Sequence, residues 1–145
     1  MRIAVLNGPN LNLLGQREPE VYGRSSLAEI EGMVREAANA LGAEIDWFQS
    51  NHEGEMVDAV QKLPGRAEGA LINAAALTHS SLALRDALLA VRIPFVELHL
   101  SNIFARELER RHSMIADLAV GVITGFGAQS YVLALQALMG RLRAA

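Results

Sequence analysis

Cysteine is absent from the 145-residue sequence, and lysine occurs once, as Lys62. A chain without cysteine has no disulfide, no thiolate nucleophile and no thiolate ligand for a metal ion. Schiff-base chemistry requires a lysine, and Lys62 stands near the end of an amphipathic segment, just before Pro64-Gly65, where we expect a solvated surface residue. The lack of cysteine also fits a reducing compartment, so we predict a cytoplasmic protein.

Positive charge is not in excess either. The chain has 13 lysine and arginine residues against 16 aspartate and glutamate residues, a formal net charge of −3. This balance lacks the basic surface that is typical of nucleic-acid binding, so we expect no nucleic-acid partner. The first apolar run, from Ile3 to Leu6, is too short for a signal peptide.

One uncharged segment, from Leu118 to Gly140, has the length of a membrane span. Its glycines and glutamines interrupt the apolar character, and a buried strand, a glycine turn and a helix explain it better. Hydrophobic residues make up 51% and charged residues 20% of the sequence, which is typical of a globular protein. We therefore expect no membrane partner and a single domain over residues 1–145.

Five short apolar runs alternate with segments of helical periodicity. Continuous apolar runs are typical of strands covered on both faces, and the alternation indicates a parallel sheet. We predict an α/β fold of the flavodoxin-like type, with three layers and a five-stranded parallel sheet in the order 2-1-3-4-5 between helices. The predicted strands are Ile3 to Asn7, Ile45 to Gln49, Ala70 to Asn73, Pro94 to Leu100 and Ala119 to Thr124. The predicted helices start after Ser25 or Ser26, near Met56, at Leu82, at Phe104 and near Val132.

Polar side chains follow the predicted strands at their carboxyl ends. In a parallel sheet of this type, ligands bind at that edge. Polar residues scattered at random would not all fall at one edge, so a functional site is predicted there. The residues are Asn7 and Asn10, Asn51 and His52, Asn73 and His79, and His99, Ser101 and Asn102.

The first predicted loop, Gly8 to Arg24, is long for an α/β connection, and long loops at this edge often act as lids. Its glycines make a module that binds FMN or another nucleotide an alternative function, although their spacing matches neither the dinucleotide fingerprint nor the P-loop. Arg17 and Tyr22 lie on this loop. Each alone can be an ordinary surface residue. Together, the guanidinium favours the charged form of the phenol, which makes Tyr22 a candidate base.

His79 and His99 follow different strands and are both predicted to reach the same edge. Glu97 lies two residues before His99, on the same face of the strand, where a carboxylate can orient a histidine ring. A buried ion pair is the structural alternative. His79, His99, Glu97 and Asp86 also form a candidate metal site, but no local ligand spacing such as H-E-x-x-H supports it.

Three arginines, Arg106, Arg110 and Arg111, occur in the short charged helix predicted from Phe104 to Arg111. Positions 106 and 110 share a face of such a helix. They form either a solvated, ion-paired surface or a site for an anionic or polyhydroxy substrate. Backbone N–H groups from Leu100 to Asn102, at the entrance to this helix, can also receive a carboxylate.

Longer motifs run through the chain in a fixed order. They are Leu6 to Gly15, Arg17-Glu18-Pro19, Tyr22-Gly23, Asn51 to Glu55, Ile72-Asn73, Thr78-His79, Leu84 to Ala87, Glu97 to Ile103, Arg106-Glu107, Arg110, His112-Ser113 and the glycine-rich segment before the last helix. This set resembles the type II 3-dehydroquinate dehydratase family over nearly the whole chain.

The resemblance implies a carbon–oxygen lyase. Members of the family convert 3-dehydroquinate to 3-dehydroshikimate by anti elimination of water through an enolate, without metal or cofactor. The reaction belongs to the shikimate pathway, which leads to chorismate and the aromatic amino acids, or to quinate catabolism. The resemblance also implies a flavodoxin-like fold and a homo-dodecamer built as a tetramer of trimers.

The resemblance further implies roles for individual catalytic residues. Tyr22 would be the proton acceptor at carbon 2, and Arg17 would stabilise the transition state. Asn10 would hold a water molecule against the enolate. His99 would be the proton donor to the leaving hydroxyl, with Glu97 orienting its ring.

Substrate binding is implied in the same way. Asn73, His79 and Arg110 would bind ring hydroxyls, Leu100 and Ser101 would hold the carboxylate together with Asn73, and Arg106 would belong to the same set. Asp86 would reach in from a neighbouring subunit.

Three positions depart from the family pattern: Glu109, Phe104 and Ala75. Glycine is common where Ala75 stands, so we expect the turn that bears Asn73 to be slightly reshaped. Glu109 stands where phenylalanine is frequent, and it either draws Arg110 away from the substrate or faces solvent. An assembly protein that has lost catalysis is a further alternative, which the complete catalytic set disfavours.

Overall fold

The computed structural model describes residues 1–16 and 18–145. Its centre is a five-stranded parallel sheet in the order β2-β1-β3-β4-β5, which confirms the predicted topology. The strands are β1 (Arg2–Asn7), β2 (Glu44–Gln49), β3 (Gly69–Asn73), β4 (Phe95–His99) and β5 (Gly121–Thr124). The helices are α1 (Pro19–Tyr22), α2 (Leu27–Leu41), α3 (Glu53–Gln61), α4 (Leu82–Val91) and α5 (Gln129–Ala144).

The sheet buries a separate apolar cluster on each face, because successive residues of a strand point to opposite sides. In β1, Ile3 and Val5 pack in the cluster that also contains core residues of α2 and α5. Ala4 and Leu6 pack in the other cluster, with core residues of α3 and α4. The three predicted layers are therefore present, and the carboxyl ends of the strands meet at one edge.

Local signals set the ends of α2 as the sequence predicts. The Ser26 side chain accepts a hydrogen bond from the Glu29 N–H at 3.1 Å, and the Glu29 carboxylate accepts from the Ser26 N–H, which completes a capping box. Gly42 follows the helix in the left-handed conformation, with φ of 75°, where glycine is free of the steric cost of a side chain. This helix connects the long first loop to the edge strand β2.

The uncharged segment near the carboxyl terminus forms β5, a glycine-containing turn and α5, as predicted. Among the residues that the structure describes, none of the helices combines the length and the apolar character that crossing a membrane requires. The expectation that all strands are covered on both faces is wrong for β5. Gly121 and Val122 are exposed at the start of β5, the edge strand that pairs with β4.

The prediction of one helix from Phe104 to Arg111 is also wrong. The structure has two three-residue 3₁₀ turns instead, Ile103–Ala105 and Leu108–Arg110. The Asn102 side chain caps the first turn by accepting a hydrogen bond from the Phe104 N–H at 3.1 Å. Arg106 then adopts an extended backbone, with φ of −96° and ψ of −177°, which a helix does not allow. The two arginines at 106 and 110 consequently share no helix face.

Candidate active site

A cleft lies at the carboxyl edge of the sheet. It encloses about 630 Å³ of space, part of it open to solvent. Most of the predicted site residues line it, although they come from the first loop, α1, the ends of β3 and β4, the 3₁₀ segment Ala75–His79, and the region of the two 3₁₀ turns after β4. The predicted residues in the lining are Asn10, Tyr22, Asn73, His79, His99, Leu100, Ser101, Arg106 and Arg110.

One side of the cleft is built on a chain of three polar side chains. His99 Nε2 lies 2.6 Å from Glu97 Oε2, and the Ser113 hydroxyl donates to Glu97 Oε1 at 2.6 Å. Ser113 can only donate in this direction, because its oxygen already accepts from the N–H groups of Ile115 and Ala116. Glu97 is fully buried and His99 is 5% exposed. The carboxylate holds the His99 ring through Nε2, so Nδ1 is the ring nitrogen that remains for other contacts.

His79 is held in the same cleft by a backbone carbonyl. Its Nδ1 lies 2.6 Å from the carbonyl oxygen of His112, and since that oxygen can only accept, Nδ1 carries a hydrogen. Burial lowers the pKa of His79 below its ordinary value, and the neighbouring His99 and Arg110 act in the same direction. The neutral ring therefore presents Nε2 as a hydrogen-bond acceptor. The rings of His79 and His99 are stacked, with centroids 6.3 Å apart.

The phenol of Tyr22 lies beside a guanidinium. Arg106 Nη1 donates to Tyr22 Oη at 3.1 Å, and the guanidinium carbon lies 5.3 Å from the centroid of the tyrosine ring. The same nitrogen donates to the Ser101 hydroxyl at 3.3 Å. Arg17, which the sequence pairs with Tyr22, lies outside the described residues. The structure thus adds Arg106 as a cation at the phenol, a contact that the sequence does not predict.

Arg110 approaches the cleft while bound to an acidic neighbour. Its Nε donates to Glu107 Oε1 at 2.5 Å, and this hydrogen bond raises the pKa of the Arg110 guanidinium. Glu109 is exposed. Of the two alternatives for Glu109, exposure to solvent is therefore the one found, and Glu107 is the residue that engages Arg110.

Two backbone carbonyls just after β4 are engaged by β5 and by the turn that follows it. The Leu100 carbonyl accepts from the Gly127 N–H at 2.9 Å, and the Ser101 carbonyl accepts from the Thr124 hydroxyl at 2.7 Å. Across the cleft, Asn10 has a left-handed backbone with φ of 69°. Its orientation is fixed by a hydrogen bond from its N–H to the Asn51 side chain at 2.9 Å.

Close backbone packing supports the turn after β3. A side chain at Gly8 would place its Cβ 2.3 Å from the Ala74 carbonyl oxygen, so only glycine fits there. Ala75, one of the three departures, has φ of 53°, a left-handed conformation that alanine adopts at a steric cost. This backbone conformation favours glycine over alanine at position 75.

Two predicted residues do not line the cleft for structural reasons. Glu97 lies behind His99, in contact with the ring at Nε2. Asp86 is exposed on α4, away from the cleft lining. The alternative metal site of His79, His99, Glu97 and Asp86 is therefore not assembled, and within residues 1–16 and 18–145 no cluster of three or more histidine and carboxylate side chains has the arrangement of metal ligands.

The sequence reasoning assigns no role to two residues that support the cleft. Ser113 occurs in the motif His112-Ser113, and its hydrogen bond to Glu97 joins residues that are 16 apart in the sequence. Tyr131 is fully buried on α5 and hydrogen-bonds to Asn73 and Asn7. The available signal was a phenol on the core-facing side of an apolar helix, because a buried tyrosine hydroxyl usually has a polar partner.

Comparisons with known proteins match nearly the whole chain. A family model described as dehydroquinase class II matches residues 1–139. A 3-dehydroquinate dehydratase of Parasynechococcus marenigrum (strain WH8102) is 59% identical over 143 residues, which are 99% of this chain and 98% of that protein. The corresponding protein of Nostoc sp. (strain PCC 7120) is 56% identical over 143 residues, 99% of this chain and 97% of its own.

Solved structures match equally completely. The type II dehydroquinase of Propionibacterium acnes superimposes with a TM-score of 0.91 at 37% identity, covering 96% of each chain. The type II dehydroquinase of Butyrivibrio crossotus DSM 2876 gives a TM-score of 0.93 at 39% identity, over 95% of this chain and 97% of that one.

Proposed function

The chain belongs to the class II dehydroquinase family and is a hydro-lyase that acts on 3-dehydroquinate, and we propose that Tyr22 and His99 are its base and its acid. The observation that carries the proposal is the shared cleft. It unites a phenol beside a guanidinium with a histidine backed by a buried carboxylate. The product would be 3-dehydroshikimate, formed in the shikimate pathway or in quinate catabolism by a cytoplasmic enzyme.

The first step is removal of a proton from the carbon next to the ketone of the substrate. Tyr22 accepts this proton as a phenolate. Arg106 supports the phenolate, because a charge-assisted hydrogen bond to an anionic oxygen is stronger than one to a neutral hydroxyl. The electron pair from the broken carbon–hydrogen bond moves to the ketone oxygen and gives an enolate. A water molecule held by Asn10 stabilises the developing negative charge, and Arg17 is proposed to act at the same stage.

The second step breaks the carbon–oxygen bond. The enolate returns its electron pair to re-form the ketone and a carbon–carbon double bond, while the hydroxyl leaves as water. His99 supplies the proton from Nδ1, because Nε2 is committed to Glu97. A buried carboxylate that accepts from both His99 and Ser113 stabilises the imidazolium required for this transfer.

The remaining polar groups suit an anionic, polyhydroxylated ring. His79 Nε2 accepts from a ring hydroxyl and Arg110 donates to another. Asn73, Ser101 and the N–H groups after β4 receive the substrate carboxylate, which needs donors and not acceptors.

We also propose the oligomer that the family resemblance implies. In a dodecamer built of trimers, Asp86 would reach the cleft of a neighbouring subunit, and its exposed position on α4 supports this arrangement. Asp86→Asn should then lower the activity without lowering the stability of the isolated subunit. Sedimentation of the wild-type protein measures the assembly directly.

The proposed reaction is tested by ultraviolet absorbance. Purified protein is mixed with 3-dehydroquinate in the presence of a chelator, and the conjugated double bond of the product is followed. We expect a rise proportional to enzyme concentration. A flat trace from folded protein would contradict the proposed activity, and a rise that chelator abolishes would contradict the metal-free mechanism.

The role of Tyr22 is tested by Tyr22→Phe, which removes the basic oxygen and keeps the ring. We expect kcat to fall by roughly 10²–10⁴-fold, the range usual for loss of a general base. The circular dichroism spectrum and the melting temperature should stay close to those of the wild type, because Tyr22 is only half-buried. Turnover within a few-fold of the wild type would rule out Tyr22 as the base.

A further inference from the structure

A chain of hydrogen bonds crosses the sheet beneath the cleft. Asn7 Nδ2 donates to the carbonyl of Phe48, on the edge strand β2, at 3.0 Å. Tyr131 Oη donates to Asn7 Oδ1 at 2.6 Å. Asn73 Nδ2 donates to Tyr131 Oη at 3.0 Å, and the Ala75 N–H donates to Asn73 Oδ1 at 3.3 Å. The chain therefore joins β2, β1, α5 and β3.

The two ends of this chain fix the direction of every bond in it. The Phe48 carbonyl can only accept and the Ala75 N–H can only donate. Asn7 must therefore turn its oxygen to Tyr131, and Asn73 must turn its nitrogen there. Asn7 and Tyr131 are fully buried and Asn73 is 3% exposed, so reversal of either amide would leave buried donors or acceptors unpaired.

We infer that Tyr131 is a positioning residue for substrate recognition, because its phenol holds the Asn73 amide with an N–H available to the cleft. The inference rests on the proposed function, in which Asn73 binds the substrate carboxylate. Asn73 lines the cleft, and of its two Nδ2 hydrogens only one is used by a bond within the described residues. An amide fixed in the opposite sense would turn its oxygen toward the carboxylate and repel it.

The environment of Tyr131 suits this task. Burial raises the pKa of the phenol, so the hydroxyl keeps the hydrogen that it donates to Asn7. The ring packs against Trp47, with centroids 5.8 Å apart. Tyr131 does not line the cleft, so it acts on the substrate only through Asn73.

The test compares Tyr131→Phe with a matched control on the same helix. Tyr131→Phe removes one oxygen and frees the Asn73 amide to rotate. We expect KM for 3-dehydroquinate to rise roughly tenfold, as for loss of one oriented hydrogen bond, with kcat within about twofold of the wild type. Ser130→Ala removes an equally buried hydroxyl that accepts from the Phe126 N–H at 3.0 Å. It should lower the melting temperature by a similar few degrees and leave KM unchanged.

Two further variants keep the test decisive. Asn7→Ala removes the oxygen that accepts a hydrogen bond from the Tyr131 hydroxyl and leaves the rings of Tyr131 and Trp47 unchanged. It should raise KM about threefold. If Tyr131→Phe does not fold, Asn7→Ala replaces it in the test. Asn73→Ala should raise KM at least as much as Tyr131→Phe, and adding Tyr131→Phe to it should raise KM no further, because the two residues act as one unit.

The outcomes separate this inference from the proposed function. Absence of turnover by the wild type would overturn the proposed function and the inference with it. If the wild type is active and Asn73→Ala raises KM, but folded Tyr131→Phe or Asn7→Ala has the wild-type KM, only the inference fails. Equal rises in KM for Tyr131→Phe and Ser130→Ala would also overturn it, because general destabilisation would then explain both.

Discussion

The two walls of the cleft are built in different ways. The strand wall consists of Asn73 and His99, at the ends of β3 and β4, with Glu97 behind them. These side chains are buried and each is hydrogen-bonded to other buried groups. The loop wall consists of Asn10, Tyr22, Arg106 and Arg110, which lie on the first loop, on a four-residue helix and around two 3₁₀ turns. Its side chains are half-buried or exposed.

Under the proposed mechanism, we expect this difference to separate stability from catalysis. A side chain on the strand wall should contribute to both, because removing it leaves buried partners unpaired. A side chain on the loop wall should contribute mainly to catalysis, because solvent satisfies the polar groups that its removal leaves behind. The division also matches the proposed chemistry, in which the loop side carries the base and the sheet side carries the acid.

Glu97→Gln should have the largest combined effect on activity and stability, since it changes the centre of the strand wall. The loss of charge removes the partner of the His99 imidazolium, so we expect kcat to fall by roughly 10²–10³-fold. Replacing a fully buried carboxylate that accepts two hydrogen bonds should also lower the free energy of unfolding by roughly 1–3 kcal/mol. Steady-state kinetics and denaturant titration measure the two effects.

The milder variant Ser113→Ala tests whether a smaller change next to Glu97 has a smaller effect on kcat. It removes one donor to Glu97 and leaves the His99–Glu97 contact in place, so the loss of kcat should be smaller than in Glu97→Gln. A normal kcat in Glu97→Gln would show that His99 needs no carboxylate.

Arg106→Met should affect activity alone, which is the behaviour expected of the loop wall. Losing a charge-assisted hydrogen bond to Tyr22 should lower kcat/KM by about 10- to 100-fold. The free energy of unfolding should stay within about 0.5 kcal/mol of the wild type. Arg106→Lys should restore only part of the activity, because lysine lacks the planar guanidinium that lies against the Tyr22 ring. A loss of stability as large as that of Glu97→Gln would break the distinction between the walls.

His79 lines the cleft and stacks on His99, and we expect it to make stability depend on pH. Its pKa is lowered in the folded protein, first by burial, so the unfolded chain binds the proton more readily. The contribution of His79 to the free energy of unfolding is therefore fully present above about pH 6.5, the pKa of histidine in an unfolded chain. It is lost as the pH falls through the pKa of His79 in the folded protein. Denaturant midpoints between pH 7.5 and pH 5 should fall less steeply for His79→Gln than for the wild type. Parallel slopes would mean that His79 is not the group responsible.

Ala75→Gly should have the smallest effect. It relieves the left-handed backbone at the turn after β3, so we expect the free energy of unfolding to rise by up to about 1 kcal/mol. Ala76→Gly is the matched control at a neighbouring position without positive φ, and it should destabilise the protein. Equal losses for the two variants in thermal melts would show that the turn holds no strain.

The sequence predicts the strand wall better than the loop wall, for physical reasons. Hydrophobic periodicity locates β3 and β4, and the parallel topology then brings Asn73 and His99 to one edge. The residues around Arg106 do not follow periodicity, because the Asn102 cap and one extended residue break the helix that the charge pattern predicts.

Hydrogen bonds between residues far apart in the sequence were not predicted either. Tyr131 and Asn7 are 124 residues apart, and no local pattern encodes a hydrogen bond between them. The start of α2, by contrast, was placed after Ser25 or Ser26 from sequence, because a capping hydrogen bond depends on residues only three apart, here Ser26 and Glu29.

The fixed amide of Asn73 has a consequence for inhibitors. A compound that places a hydrogen-bond acceptor against this amide meets a donor whose orientation is already set by Tyr131, so binding loses little side-chain entropy there. A compound that relies on Tyr22 and Arg106 must immobilise longer, more exposed side chains, and part of its contact energy is offset by their ordering. Affinity that an inhibitor gains through the Asn73 amide should therefore be kept more often when the rest of the compound is changed.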